Sequence, residues 1–468
     1  MSSGFSVKDR TCFPQIFVTF CVFLWPLLLP LKAADDLASA KELTARGDFA
    51  GALPEWKEAL AEATEKKDVN GQVVASLGLA NVLQQLGQIR LAEETLHAAD
   101  VLARAGTDKR LQSRTQSGMG TLLMFGSDPD EAEPCLVNGL KLAREAGDAR
   151  LTAGALNNLA NLHAYQKKTD QALKEYEDGI GEAERAGDKV FAAKMSANLV
   201  TTAVDAASWD EAKKWAYRII DSAPQVPDSH DKAAALLGAG KACVDIFTQG
   251  ADDDKELRLK ANTAYLAAEA TAKKIDDKRA LSYALGYRAE LYKMDGKPDE
   301  ALALSRHAAV LAQEVKSNDV LFRWQWQIAR ILALQKKREQ AITAYESAVA
   351  TLQNVRHDMA LHFGNTNYRS SFRDAAGSIY FELADLLLQR ANSDKTDAEI
   401  QKDLLLARDT AEDLKEAELE DYFQDDCANL LKAKNKKIES ISQTAAVVYF
   451  IPLEDRTEIL VELPSKRI

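Results

Sequence analysis

The chain has 468 residues, of which 46% are hydrophobic and 28% charged, and its formal net charge is -12. This length predicts several domains or a repeat array, and the hydrophobic content excludes a wholly disordered chain. With 23 glycines and 11 prolines, the composition favours helices over a loop-rich all-β chain. The acidic balance and the lack of a basic stripe argue against a nucleic-acid partner.

The N-terminus has the pattern of a secretory signal peptide. Two basic residues precede an apolar run over 16–29, and the small residues Ala33 and Ala34 follow it. We therefore expect residues 1–33 to be a cleaved signal and the protein to be secreted or periplasmic. The alternative is an uncleaved segment that tethers the protein to a membrane, which the prolines within the run disfavour.

A small residue recurs every 40 residues through most of the chain. The recurring alanines are Ala52, Ala92, Ala132, Ala172, Ala212, Ala261, Ala301 and Ala341. The step from Ala212 to Ala261 is 49 residues, and the acidic stretch 251–256 predicts that the extra residues form a longer turn.

Other positions keep the same phase. Aspartates sixteen residues after the alanine are expected to cap the next helix, and these are Asp68, Asp108, Asp148, Asp188 and Asp277. Gly147 and Gly187 precede two of them and can adopt the left-handed conformation that ends a helix. Bulky residues four after the alanine are expected to fill the space between helix pairs: Trp56, Leu96, Leu136, Tyr176 and Tyr345.

This pattern of small and large positions resembles the tetratricopeptide repeat family in a 40-residue form, over residues 34–350. The resemblance implies a mainly α fold, a superhelical solenoid of about eight helix pairs. It also implies that the first helices line a concave groove that binds a protein or a peptide.

After residue 350 the period is lost. Residues 351–432 keep helical spacing and predict a helical extension, and residues 443–468 predict a short β hairpin. The series SFRDAAGSIYFELADLLLQR, LLLARDTAEDLKEAELEDYFQDDC and AAVVYFIPLEDRTEILVELP resembles the linker and opening strands of CHAT proteins, caspase-like cysteine peptidases that follow tetratricopeptide arrays. The resemblance implies that the hairpin is the incomplete start of such a domain, with the catalytic histidine and cysteine beyond this chain.

No catalytic residue, metal site or cofactor is predicted. Cys427 follows two aspartates, which disfavour a thiolate, and His357 and His362 are five residues apart, so a helix would separate them. We interpret the chain as a non-catalytic binding scaffold that is exported from the cytoplasm. The alternative is that it is the N-terminal part of a CHAT-family cysteine peptidase.

Four polar residues on two predicted first helices are candidate partner-binding residues. Asn157 and Asn161 lie one turn apart, as do Lys194 and Asn198. Two of them, Asn161 and Asn198, fall where carboxylate-clamp members of the repeat family place asparagines. The next repeat lacks the cations of such a clamp, so the alternative is that the asparagines bond only to neighbouring helices.

Aromatic and arginine residues in the last two repeats form a second candidate group. Tyr283 and Tyr287 lie one turn apart, and Arg323, Trp326 and Arg330 share one side of the next first helix. These residue types are enriched at binding hot spots. The alternative is that one of Trp324 and Trp326 packs between repeats.

Overall fold

The structure is a computed structural model that describes residues 37–45, 49–86, 88–125, 129–249, 255–363, 372–393, 396–423, 445–464 and 467–468. By its internal packing the chain divides into two compact units, with the boundary between Ala267 and Ala268. The predicted signal at residues 1–33 and the cysteine at 427 lie outside the described residues. Within the described ranges, no helix combines the length and apolar character needed to cross a bilayer.

The first unit is a stack of helix pairs. The helices are α1 Ala38–Ala45, α2 Phe49–Glu65, α3 Val69–Gln85, α4 Ile89–Ala105, α5 Lys109–Phe125, α6 Pro129–Glu145, α7 Ala149–Tyr165, α8 Thr169–Arg185, α9 Lys189–Asp205, α10 Trp209–Ser222, α11 His230–Gln249 and the first part of α12 Lys255–Lys274. From α1 to α10 each first helix packs on its own second helix. From α3 to α11 each first helix packs on the second helix of the preceding pair and on the neighbouring first helix.

The second unit continues with helix pairs and ends in a hairpin. Its helices are α13 Lys278–Met294, α14 Pro298–Glu314, α15 Asn318–Leu334, α16 Arg338–Phe363, α17 Phe372–Ala391 and α18 Asp397–Phe423. Two antiparallel strands follow, β1 Val447–Pro452 and β2 Thr457–Glu462, with Val448 opposite Val461 and Phe450 opposite Ile459. The predicted sequence of repeats, helical extension and short hairpin is confirmed.

The 40-residue period appears directly in the helices. First helices begin at Val69, Lys109, Ala149 and Lys189, and again 40 residues apart at Lys278 and Asn318. Residues 251–254 of the predicted longer turn lie outside the described residues, and Lys255 and Glu256 begin α12. Part of the insertion lengthens the helices, because α11 and α12 have 20 residues each where their neighbours α9 and α13 have 17.

The predicted helix caps are confirmed. Asp188 Oδ1 accepts from the backbone N–H of Phe191 at 3.1 Å, and Asp68, Asp148 and Asp277 make the same contact three residues ahead. Asp108 differs only in accepting from the N–H of Arg110, two residues ahead. Gly147 and Gly187 have φ of 65° and 74°, as the left-handed end of a helix requires.

Small and large positions interlock as expected. The recurring alanines Ala52, Ala92, Ala132, Ala172, Ala212, Ala261, Ala301 and Ala341 are fully buried, and so are the bulky residues Trp56, Leu96, Leu136, Tyr176 and Tyr345. The end of the array predicted at residue 350 falls inside α16, which runs on to Phe363. The hairpin packs on the second unit through Tyr449, Ile451 and Leu460, which share a buried cluster with side chains of α17 and α18.

Candidate partner-binding surfaces

Two of the predicted asparagines meet between repeats 4 and 5. Asn198 on α9 donates through Nδ2 to Oδ1 of Asn157 on α7, over 3.0 Å. Asn157 is buried and Asn198 is half-buried. Among the described residues, no donor reaches Asn198 Oδ1. The pair therefore presents an unused amide acceptor at the contact of two first helices.

Lys194 extends this surface to the next repeat. Its Nζ lies 3.5 Å from Oδ1 of Asp231 at the start of α11. Sequence reasoning missed Asp231, although an acidic residue in the first turn of the following first helix was a visible signal. We call Asn157, Lys194, Asn198 and Asp231 the polar face.

Asn161 does not belong to the polar face. Its Oδ1 accepts from the hydroxyl of Tyr176 on α8 at 2.6 Å, and both residues are buried. Burial also raises the pKa of the Tyr176 phenol. Asn161 thus bonds to the second helix of its own repeat, as the alternative interpretation of the asparagines expected.

A second ionic contact follows along α11. Lys241 Nζ lies 2.5 Å from Asp245 Oδ2, one turn away. Burial raises the pKa of the Asp245 carboxyl even though Lys241 acts against this. Sequence reasoning missed this pair, because a lysine and an aspartate four apart are common on any exposed helix.

The tyrosines of repeat 7 form a cluster with Trp324. The rings of Tyr283 and Tyr287 are 5.8 Å apart, and each meets Trp324 nearly edge-on, at 5.9 and 5.8 Å. Trp324 is buried and its Nε1 donates to Ser282 Oγ, whereas both tyrosines are half-buried. Trp324 is therefore packing between repeats, and the tyrosine pair covers it.

Arg323 lies beside this cluster on α15. Its side chain is mostly buried, its Nε donates to the carbonyl of Asp319 at 3.3 Å, and its guanidinium lies over the ring of Phe322. Arg323 is adjacent in sequence to Trp324, on which the tyrosine pair packs.

Trp326 and Arg330 lie in the contact between α15 and α17. Trp326 is 2% exposed and donates through Nε1 to Glu382 Oε2 at 2.8 Å. Arg330 Nε donates to both oxygens of Glu382, and Tyr345 adds a hydroxyl donor from α16. Burial alone would lower the pKa of the Arg330 guanidinium. The hydrogen bonds and the charge of Glu382 outweigh this effect, so the pKa of Arg330 is raised. In this structure the two residues hold the array to its helical extension.

The partner-binding role of the nine predicted residues stays a prediction. The structure brings together Asn157, Lys194 and Asn198 in one place and Tyr283 and Tyr287 in another, while Arg323 contacts Asp319 and Phe322 on its own helix. It directs Asn161, Trp326 and Arg330 into contacts within the protein.

The described ranges contain two free cysteines, Cys135 and Cys243. No group of three or more His, Cys, Asp and Glu side chains there is placed to hold a metal ion. Cys135 is half-buried and Cys243 is buried, and burial raises the pKa of the Cys243 thiol to about 12.

Comparison with known proteins agrees with the repeat geometry. Residues 111–181, from α5 to α8, match the family model described as Tetratricopeptide repeat. This stretch of helix pairs is similar to a tetratricopeptide repeat. No curated protein matches the chain significantly in sequence.

Several solved structures share the helical-repeat arrangement at low identity. BtubC from P. vanneervenii is 18% identical over 49% of this chain and 92% of its own, with a TM-score of 0.40. The apo quorum sensor NprR from B. thuringiensis is 15% identical over 68% and 86%, with a TM-score of 0.46. Apo RapI is 10% identical over 74% and 99%, with a TM-score of 0.45. Values this low transfer no ligand or activity to this chain.

Proposed function

We propose that this protein is an exported, non-catalytic scaffold whose tetratricopeptide repeats bind a protein or peptide segment. The observation that carries the proposal is the polar face, where Asn198 bonds to Asn157 and Lys194 lies against Asp231 across three successive first helices. Most buried positions between stacked repeats are filled by small and apolar side chains, although polar contacts such as that of Gln327 with Gly286 O also occur there. The amide and ionic groups of the polar face contribute little to the packing of one repeat on the next, but they can form hydrogen bonds and ion pairs with a ligand.

The chemistry of the polar face fits a polypeptide in extended form. An amide side chain offers one acceptor and two donors, which matches the backbone C=O and N–H groups of a peptide. Asn198 uses one donor on Asn157 and keeps its acceptor for a ligand N–H. Lys194 and Asp231 can each turn to an opposite charge on the partner.

The tyrosine pair supports a separate contact in the second unit. Tyr283 and Tyr287 are held on Trp324 with their rings half-buried, so binding would cover apolar area without ordering flexible side chains.

Selection from a random peptide library displayed on phage tests the binding proposal. We expect the purified protein to enrich peptides whose affinity falls at least about tenfold in a variant with Lys194→Ala and Asn198→Ala. A matched control, Lys174→Ala with Asp178→Ala on the exposed side of α8, should bind the same peptides unchanged. Tyr283→Ala and Tyr287→Ala measure the second contact in the same assay. Peptides that bind every variant equally would contradict the proposal.

Export rests on the N-terminal pattern of basic residues, apolar run and small residues. Fusion of residues 1–40 to a reporter that is active only outside the cytoplasm should give activity, and mass spectrometry of the mature protein should find Ala34 first. A reporter that stays inactive would remove export from the proposal without affecting peptide binding.

Catalysis is not part of this proposal. The resemblance of the last hundred residues to a CHAT linker and opening strands stays a prediction, and no catalytic residue was assigned on this chain. In the structure, this region contributes α17, α18 and the β hairpin.

A further inference from the structure

One face of the β hairpin consists of exposed apolar side chains. Val448, Phe450, Ile459, Val461 and Leu463 point away from the helices and are each between 42% and 60% exposed. The register pairs Val448 with Val461 and Phe450 with Ile459 across the two strands. We call these five residues the outward face.

The other side of the hairpin is fixed on the helices. Tyr449, Ile451 and Leu460 are buried with side chains of α17 and α18. Arg408 of α18 reaches Glu462 at 2.6 Å, with both side chains almost fully buried. The outward face is therefore held in one orientation, and turning the hairpin over to hide it would break this ion pair.

The apolar composition of the outward face favours an apolar binding partner. The strands lack the alternation of apolar and polar residues that a sheet with one wet side shows. Since none of its five members carries a charge or a hydrogen-bonding group, a polar peptide or an anionic ligand would leave its own groups unpaired there.

The register also makes the outward face complementary to itself. A two-fold axis that runs across the strands, between the two cross-strand pairs, places the large pair Phe450 and Ile459 of one copy over the small pair Val448 and Val461 of another. Packed sheets interdigitate in this way, and a two-fold interface requires one self-complementary patch.

Charges at the two ends of the hairpin agree with this arrangement. The turn carries the exposed acidic residues Glu454 and Asp455, of which Asp455 accepts from Arg456. The opposite end carries Arg467, which pairs with Asp397 and keeps its side chain 59% exposed. The same axis reverses the strand direction, so the acidic turn of one copy lies toward the arginine end of the other. We propose that the outward face binds a second copy of this chain, hairpin against hairpin, to form a two-fold dimer.

The size of the outward face sets the strength of the dimer. A standard interface buries about 800 Å² on each partner, and five half-exposed side chains provide less. We therefore expect weak association, with a dissociation constant in the micromolar range.

Sedimentation of the exported full-length chain at increasing concentration tests the proposal. We expect a monomer–dimer equilibrium that weakens slightly as added salt screens the charges at the two ends of the hairpin. Phe450→Asp should weaken it at least about tenfold, because the charge is desolvated at the centre of the interface. Val310→Asp, at a similarly exposed apolar residue on α14, is the matched control and should leave the equilibrium unchanged.

A complementation experiment separates loss of the contact from loss of the fold. Phe450→Asp and Val448→Lys should each be monomeric, whereas their equimolar mixture should dimerise, because the two-fold axis brings the introduced carboxylate of one copy over the introduced ammonium of the other. The proposal would be overturned by a chain that is monomeric at every concentration, by association beyond the dimer, or by a dimer that survives Phe450→Asp. It would also be overturned by a mixture of the two variants that stays monomeric. Peptide binding at the polar face does not enter any of these outcomes.

Discussion

Arg150, in the first turn of α7, lies against Asp188, the residue that caps α9 in the next repeat. Its Nε is 3.4 Å from Asp188 Oδ2, while Oδ1 of the same carboxylate accepts from Phe191 N–H. Arg110 and Asp148 repeat the contact one unit earlier at 3.3 Å. The carboxylate that begins one helix is thus also bound to the preceding repeat.

Separate substitutions can divide the two roles of Asp188. Asp188→Ala removes both the cap and the ion pair and should cost about 1–2 kcal/mol of stability. Asp188→Asn keeps a cap and removes the charge, so it should cost less, close to the effect of Arg150→Ala, about 0–1 kcal/mol. Urea unfolding followed by circular dichroism measures all three. Equal losses for the alanine and asparagine variants would mean that the cap contributes nothing.

Two helical glycines should respond to alanine in opposite directions. A Cβ at Gly286 would lie 2.4–2.5 Å from ring atoms of Trp324, so Gly286→Ala should destabilise the protein by about 1–3 kcal/mol through overpacking. A Cβ at Gly238 meets nothing within 4 Å, and Gly238→Ala should stabilise α11 by about 1 kcal/mol. Thermal unfolding compares them. Similar effects of both variants would contradict the packing of Trp324 on α13.

Arg330→Ala should destabilise the contact between α15 and α17. It leaves Glu382 with fewer donors in a partly buried site, which should cost about 2–3 kcal/mol. Removing the carboxylate as well, with Arg330→Ala and Glu382→Ala together, should recover part of this loss. The measurement is the urea midpoint. Arg330→Ala with unchanged stability and weaker peptide binding would instead favour a ligand-binding role for this residue.

Glu269 should give the second unit an acid-sensitive contribution. Burial raises the pKa of its carboxyl, but Lys273 and Arg288 outweigh burial and lower it below the usual value. A lowered pKa stabilises the fold above the unfolded value of about 4.3, and this is lost as the pH falls through the folded value. Glu269→Gln should therefore cost about 1–2 kcal/mol at neutral pH and progressively less below about pH 4. The exposed Glu300→Gln should show no such trend in the same unfolding series.

Cys243 should resist alkylation in the folded protein. Burial raises its thiol pKa to about 12, so the thiolate is scarce at pH 8 and the sulfur is covered. Peptide mapping after maleimide treatment should find it unmodified until denaturant is added, whereas the half-buried Cys135 should react slowly. Rapid labelling of native Cys243 would show that α11 opens readily.

The repeat was readable from the sequence because its signals are local. The caps at Asp148 and Asp188, the left-handed glycines before them and the buried alanines depend on residues within one helix pair. The same regularity located the first helices, and so the positions where Asn157 and Asn198 meet.

What the sequence could not show depends on long-range pairing. Trp326 and Arg330 have the composition of a binding hot spot, but their partner Glu382 lies more than 50 residues away on α17. Residue spacing along one helix cannot distinguish a side chain that is exposed to a ligand from one that contacts a distant part of the chain. The bond of Asn161 was hidden for a related reason, since its tyrosine partner lies on the second helix of the repeat.

The contact of Arg150 with Asp188 bears on how such arrays change length. Excision of residues 148–187 removes 40 residues and joins Gly147 to Asp188, which recreates the Gly-Asp junction. Arg110 would then face Asp188 in place of Asp148, because both arginines occupy the same position in their helices. The Gly-Asp junction and the arginine contact of its aspartate would therefore survive the loss or duplication of one such unit by recombination.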